Sequence, residues 1–305
     1  MDGRGGRPRT EPELAALGCV LLHYRHWPAV GPTIDALLGQ GVDPALVRIV
    51  DNGSGDGSAE HLRATYPQVT VLGLATNDGY ATGMNAGVAS LPAVDAVALL
   101  THDCILEPGA LAALVARLDQ DDAVGAIGPL LEQSSKPGLV FSAGGTLRGR
   151  TRQPAHLGSM RPVPEYSGAA PAAVEWVDGA CMVIRSTAYA DAGPVDEGYF
   201  LYFEELDFCT RLRTEGWRVE CVPAARARQE PGRQPRALWV RNRLRYVRRN
   251  YDLSVFLMRV LADLRDVAVG LGSRDRTRRH RAWLGLRGLL GYCARTDPRR
   301  LHRLG

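Results

Sequence analysis

Short runs of Val, Ile, Leu and Cys recur along the first part of the chain, each closed by a turn and followed by a stretch whose apolar positions return every three or four residues. GCVLLHY (18–24), LVRIVDN (46–52), QVTVLGL (68–74), DAVALLTH (95–102) and VGAIGPLL (124–131) carry the pattern of buried strands. AVGPTIDALLGQ, DGSAEHLRATY, ATGMNAGVASL and GALAALVARLDQD, which separate them, read as helices. Such alternation predicts right-handed βαβ crossovers and a mostly parallel α/β sheet flanked by helices. Ligands of these sheets bind beyond the carboxyl ends of the strands, where His23, Asp51, Asn77 and Asp103 fall.

After residue 131 the rhythm breaks. GLVFSAGGTLRG predicts a hairpin, and residues 150–173, dense in Pro, Gly and Ser, a long functional or disordered loop. VEWVDGACMVIRS then predicts a strand, FEELDFCTRLRTEG a helix and WRVECVPAA a last strand. From Arg236 the pattern is helical and basic. The expected organisation is a flexible arm over 1–16, one α/β domain over 17–235 and a basic helical extension over 236–305.

Composition adds two points. The opening MDGRGGRPRTEPE lacks the apolar segment of a signal peptide, and the six cysteines are scattered without metal-ligand spacing. Both point to a cytoplasmic protein with reduced thiols. Charge is split: residues 226–305 hold 21 Arg against 6 Asp or Glu, whereas the rest holds 16 Lys or Arg against 27 acidic residues. The apolar run near LSVFLM is too short to span a bilayer. The basic tail therefore packs on the acidic body, lies on the inner face of an anionic membrane as a peripheral contact, or forms a homodimer face; nucleic acid is not the expected partner.

Candidate chemistry sits at the turns. IVDNGSGDGS puts Asp51 at a strand end, placed to accept hydrogen bonds from a base or ribose, ahead of a turn capped by Ser54 or Asp56. A dinucleotide fingerprint would follow the first strand, which ends here in HYRH, so a nucleotide-sugar oxidoreductase or epimerase is the weaker alternative. In NDGYATGMNAG, the small residues serve either close ligand approach or helix-on-sheet packing. LLTHDCILEPGAL leaves Asp103 as a lone carboxylate; strand alternation would turn His102 to the opposite face as a buried, satisfied histidine. In FEELDFCTRLR, Glu205 shares a face with Phe208, Cys209 and Leu212, the position either of a desolvated general base or, with Glu204, of a charge that merely favours the positive helix terminus, while Asp207 reads as a surface ion pair with Arg211.

Together VDNGSGDGS, NDGYATGMNAG, LLTHDCILEPGAL, VDGACMVIRS, GPVDEGYFLYFEELDFCTRLRTEGW, VPAA and VRNRLRYVRRNY, in this order, resemble glycosyltransferase family 2 and its rhamnosyltransferase-like branch, from about Val20 to Tyr251. The resemblance implies a GT-A fold and an inverting glycosyltransferase moving a hexose or deoxyhexose from a UDP- or dTDP-linked donor to a hydroxyl of a natural product, glycan or lipid-linked acceptor. It implies Asp51, Asn77, Asp78, Asn85, Asp103 and Gly179 as donor contacts, Glu205 with Glu204 as the catalytic carboxylates, and Mg2+ or Mn2+ held at Asp103 and Gln229. Three positions depart from the family pattern. Thr101-His102-Asp103 replaces Asn-Pro-Asp or Asp-x-Asp, Glu204-Glu205 replaces Glu-Asp, and Gln229 replaces a histidine. These departures leave a catalytically degenerate sugar-nucleotide-binding scaffold as a further alternative.

Overall fold

A computed structural model describes residues 14–25, 27–232 and 234–303. Most of the expected N-terminal arm, residues 1–13, lies outside the described residues, and Leu14–Ala16 form a 3-10 turn leading into the first strand. The first half follows the alternation: β1 (Leu17–His23), α1 (Trp27–Leu38), β2 (Val47–Asp51), α2 (Ser58–Thr65), β3 (Thr70–Gly73), α3 (Tyr80–Ala89), β4 (Ala96–Thr101), the short β5 (Ile105–Leu106), α4 (Ala110–Gln120) and β6 (Val124–Gln133). The second half adds β7 (Val140–Ser142), β8 (Gly145–Arg148), β9 (Gln153–His156), β10 (Ala172–Ala173), β11 (Cys181–Arg185), α5 (Ser186–Ala192), α6 (Glu204–Thr214) and β12 (Arg218–Gln229). Four helices close the chain: α7 (Arg236–Asn250), α8 (Leu253–Leu271), α9 (Arg276–Cys293) and α10 (Pro298–His302).

The main sheet runs β10-β12-β6-β11-β4-β1-β2-β3, with β5 on β12 and β7 on β6. β1 pairs in parallel with both β2 and β4, and all seven of its residues are buried. A strand covered on both faces has no solvent side, which is why its sequence is apolar without alternation. On one of those faces α3 packs tightly. A Cβ on Gly87 would come within 2.3 Å of Val20 Cγ1, and one on Gly83 within 2.3 Å of Leu22 Cδ1. Those two small residues therefore serve helix-on-sheet packing.

The sheet is more mixed than the alternation predicts. β11 is antiparallel to both β4 and β6. No crossover helix precedes it; the chain returns from its long excursion at the carboxyl end of β4, where Thr101 N donates to Ala180 O. The predicted loop over 150–173 is also partly built: β9 pairs with β8, and Val163 is buried in a 3-10 turn. The last strand extends past Ala225. Its register against β6 shifts between Val222 and Arg226, and the bulge lets the chain continue alongside β5 and β6 as far as Gln229.

The basic tail packs on the body. The hydroxyls of α7 Tyr246 and α6 Thr210 lie 2.8 Å apart, and Tyr246 and Val247 join the core containing Phe203 and Phe208. Behind α7, Asp263 of α8 is almost fully buried between Arg243 and Arg259; Arg259 Nη2 donates to its Oδ1 at 2.7 Å. Arg243 Nη1 also donates to Gln153 Oε1 at 2.9 Å, tying β9 to the same cluster. Burial pushes Arg243 down to about 10 despite Asp263 beside it. Removing the one carboxylate would strand two buried guanidinium groups. Asp263→Ala is expected to lower the unfolding free energy by about 3–5 kcal/mol in urea titrations.

Candidate active site

A cleft of about 660 Å³ opens at the carboxyl ends of β1 and β4 and reaches the start of α6 and the end of β12. Its walls combine aromatic rings, among them Tyr80, Trp176, Tyr202 and Trp239, with the carboxylates of Asp103, Asp178, Glu204 and Glu205.

The two glutamates owe their place to an unusual turn. Phe200, Tyr202 and Phe203, immediately before α6, all hold left-handed backbone angles (φ 69°, 69° and 78°). For residues with a Cβ each such conformation costs about 1–3 kcal/mol and persists only where neighbours impose it. Asn242 of α7, fully buried, is that neighbour. Its Nδ2 donates to the carbonyls of Tyr199, Leu201 and Tyr202 at 3.0, 2.8 and 2.9 Å, and its Oδ1 accepts from Arg241 Nη1 at 2.8 Å. From the other side Tyr80 N donates to Phe200 O at 2.7 Å. Gly79 permits this approach: its φ is 105°, and a Cβ there would lie 2.3 Å from Phe200 O.

Delivered by that turn, Glu204 and Glu205 head α6 at the positive end of the helix dipole. Burial pushes both carboxyls up: Glu204 through desolvation, and Glu205 well above the usual carboxylate range through desolvation and then the neighbouring charges of Glu204 and Asp178. His156 opposes that rise. Burial alone would lower His156, but Asp178, whose Oδ2 lies 3.6 Å from Nδ1, raises it above its ordinary value, with Glu205 adding to the effect. The histidine ring is held between Phe141 and Trp176, with centroids 4.7 and 4.9 Å away. When protonated, His156 therefore opposes the charge of Glu205, and as a carboxylate of raised pKa Glu205 is a strong base when ionised.

At the opposite side Asp103 follows the end of β4. Its Oδ1 accepts from Thr101 Oγ1 at 2.7 Å and from Gln229 Nε2 at 3.5 Å. Among the described residues no group of three or more His, Cys, Asp or Glu side chains converges as a metal site. Asp103 and the Gln229 amide do suit a hard cation that takes most of its ligands from a diphosphate and water.

The remaining predicted residues divide. Gly179 lines the cleft, with its carbonyl accepting from Tyr80 OH at 2.8 Å. Asn77 lines it too, its Oδ1 accepting from Gly79 N at 3.0 Å and Asn52 Nδ2 at 3.2 Å. Asp51 is buried and does not line the cleft, which its chain neighbour Asn52 does, and the Ser54 hydroxyl donates to it. Neither expected cap holds: Ser54 is a partner of Asp51, the N-cap of α2 is Gly57 without a side-chain cap, and Asp56 accepts from Ser58 N at 3.1 Å. Asp78 and Asn85 lie outside the cleft wall. Asp78 accepts from Arg299 of α10 at 2.6 Å, and Asn85 ties α3 to Val195 and Glu197. His102 is half-buried and lines the cleft, contrary to the expectation of a buried ring facing away, because β4 ends at Thr101 and alternation stops there. Asp207 is fully buried, not a surface pair: it accepts from Tyr199 OH at 3.0 Å, Asn250 Nδ2 at 2.8 Å and Arg211 Nε at 3.0 Å. Sequence reasoning missed Asn242, His156 and Asp178. The first sits in the quoted VRNRL and the last in VDGA, whereas nothing local marks His156.

Residues 23–249, more than half the chain, match the family model described as Glycosyltransferase like family 2. The chain is 30% identical over 202 residues to the N-acetylglucosaminyl-diphospho-decaprenol L-rhamnosyltransferase of Mycobacterium tuberculosis, covering 60% of this chain and 65% of that relative, just under two thirds of its length. Two solved structures share the GT-A fold at low identity. GalNAc-T7 with UDP, GalNAc and Mn2+ has a TM-score of 0.59 at 14% identity, covering 77% of this chain and 48% of that one. The mannosyltransferase PcManGT from Pyrobaculum calidifontis, in complex with GDP-Man and Mn2+, has a TM-score of 0.56 at 12% identity, covering 93% and 88%.

Asn242→Ala would leave the turn carbonyls without their donor, and is expected to lower the unfolding free energy in urea by about 1–3 kcal/mol. A second expectation concerns pH. Each glutamate has a folded pKa above its unfolded value, so its stabilising contribution is full below the unfolded carboxylate range and is lost as pH rises through the folded values. Glu205→Gln cannot ionise; in thermal melts its Tm should exceed that of the unmodified chain at about pH 8, the gap closing toward about pH 4.

Proposed function

The chain belongs to glycosyltransferase family 2, and from that premise we propose that it moves a hexose or deoxyhexose, with inversion, from a UDP- or dTDP-linked donor to a hydroxyl of a glycan, natural-product or lipid-linked acceptor. One observation carries this reading: a desolvated carboxylate pair, Glu204 and Glu205, shares one cleft with Asp103 and the Gly179 turn. Glu205 takes the proton of the acceptor hydroxyl as its oxygen attacks the anomeric carbon on the face opposite the diphosphate. Glu204 keeps the pair's affinity for that proton high. A single displacement of this kind needs one base, unlike the two opposed carboxylates of a double-displacement glycosidase.

His156, paired with Asp178, fixes the acceptor side and offsets the charge on Glu205. Aromatic walls at Tyr80, Tyr202 and Trp239 offer apolar faces for a sugar ring and limit water around the base. On the donor side Asn77 and Gly179 border the nucleotide sugar, and Asp51, braced by Ser54, adjoins Asn52 in the wall on which the base rests. Asp103, with Gln229 beside it, would hold a divalent cation together with the diphosphate. Bound there, Mg2+ or Mn2+ offsets the charge that develops on the leaving diphosphate. We also place the protein in the cytoplasm, a reading supported by its six cysteines standing as free thiols, five of them buried.

The test is Glu205→Gln assayed against a panel of nucleotide sugars with Mn2+. Donor binding, read as a thermal shift, should match the unmodified chain, while donor turnover should fall by about 100-fold or more, the range of general-base catalysis. Turnover at the unmodified rate would refute the assignment of the base.

A further inference from the structure

Helix α8 is built inside out. Surface helices ordinarily bury an apolar stripe and expose charge. In α8 the buried positions include Arg259 and Asp263, while Leu253, Leu257, Leu261, Leu264 and Leu271 are 44–66% exposed. At 3.6 residues per turn these five leucines fall within an arc of about 80° on one side of the helix. A continuous exposed leucine stripe marks a surface that meets another apolar phase.

One turn beyond Leu261, Arg265 leads into a cleft of about 600 Å³ between the start of α7, the end of α8 and α9. Arg236, Arg265, Arg278 and Arg281 line it, with Asp266 as its one acidic side chain. Among the described residues no carboxylate lies within 4 Å of a guanidinium nitrogen of Arg236 or Arg281, and the Nε of Arg236 is buried without a hydrogen-bond partner. Arg278 reaches only the exposed Asp275, at 3.9 Å. Arg265 pairs with Asp266 at 3.6 Å, so of the four guanidinium groups lining the cleft two lack a carboxylate partner, and a phosphate would neutralise them, since their planar donor forks match phosphate oxygens.

We propose that this cleft binds the phosphate of a membrane lipid while the leucine stripe of α8 lies in the acyl region beside it. The occupant is an anionic membrane surface, whose phospholipid headgroups supply the phosphate. The apolar and cationic features run along one helix, the arrangement of an interfacial helix on an anionic surface. A second copy fits poorly: a two-fold contact through this face would set one arginine-rich tail against another, with 21 Arg and 6 acidic residues in each. A nucleic acid would leave the leucines unexplained. Arg236 lines both this cleft and the catalytic one, so docking here would bring the catalytic cleft to the membrane surface.

The experiment uses the full chain without donor, so its outcome is independent of the transferase assignment. Co-sedimentation is measured with phosphatidylcholine vesicles, with vesicles in which about a third of the lipid is phosphatidylglycerol, and with phosphatidylcholine vesicles carrying farnesyl diphosphate. Recruitment by phosphatidylglycerol supports the site; recruitment by farnesyl diphosphate alone would overturn the phospholipid headgroup as its occupant. Arg278→Ala with Arg281→Ala should weaken the interaction by about 25-fold, roughly fivefold per arginine at low salt. Leu257→Gln with Leu261→Gln should weaken it at least as much, with circular dichroism unchanged because both side chains are exposed. No recruitment to the phosphatidylglycerol vesicles, or recruitment unaffected by both double variants, would overturn the proposal. So would a dimer in light scattering that the leucine double variant converts to monomer, which would make the stripe a subunit interface.

Discussion

Three carbonyls pointing at one amide set the geometry of the catalytic cleft. The turn Phe200–Phe203 adopts backbone angles that its residues disfavour, and Asn242 with the Tyr80 amide hold it there. Without that clamp α6 would begin elsewhere, and its first two residues would leave the cleft. The strained turn fixes two adjacent carboxylates in a desolvated wall, where burial raises their proton affinity as the proposed base requires. Gly79 belongs to the same device, since only a residue without a Cβ allows α3 to approach the Phe200 carbonyl.

Buried charge connects this cleft to the tail. Gln153 at one end of β9 accepts from Arg243, while His156 at the other end faces Asp178 and Glu205. The Arg243–Asp263–Arg259 cluster therefore anchors the β8–β9 hairpin as well as α8. Placing those charges inward turns the leucines of α8 outward. The stability of the tail and its exposed apolar stripe are two results of one packing choice.

Much of the fold was legible in the chain. Uninterrupted apolar runs identified the central strands because burial on both faces imposes that pattern, and Asp103, Glu205 and Gly179 stood out because turns at strand and helix ends carry local signals; all three line one cleft. The errors have physical causes. Asp207 had the spacing of a surface ion pair with Arg211, yet α7 covers it and supplies Asn250. Asn85 and Asp78 lie in a ligand-like motif, but their side chains meet Val195 and Arg299, which are distant in sequence. Alternation misplaced His102 because the strand stops one residue earlier.

By itself the sequence determined the α/β class, the alternation of the longer strands and helices, the basic character of the tail and the identity of the carboxylates at the element ends, all consequences of short-range periodicity and turn chemistry; it missed α5, and the expected 138–149 hairpin gives way to β7 on β6 and β8 on β9. Only the tertiary structure decided which of those groups share a cleft, that β11 runs against its neighbours, that Gln229 reaches Asp103 through a bulge, and that α8 turns its charges inward. Each of these depends on contacts between residues tens to more than a hundred positions apart, and no local pattern encodes which partner will desolvate or neutralise a given side chain.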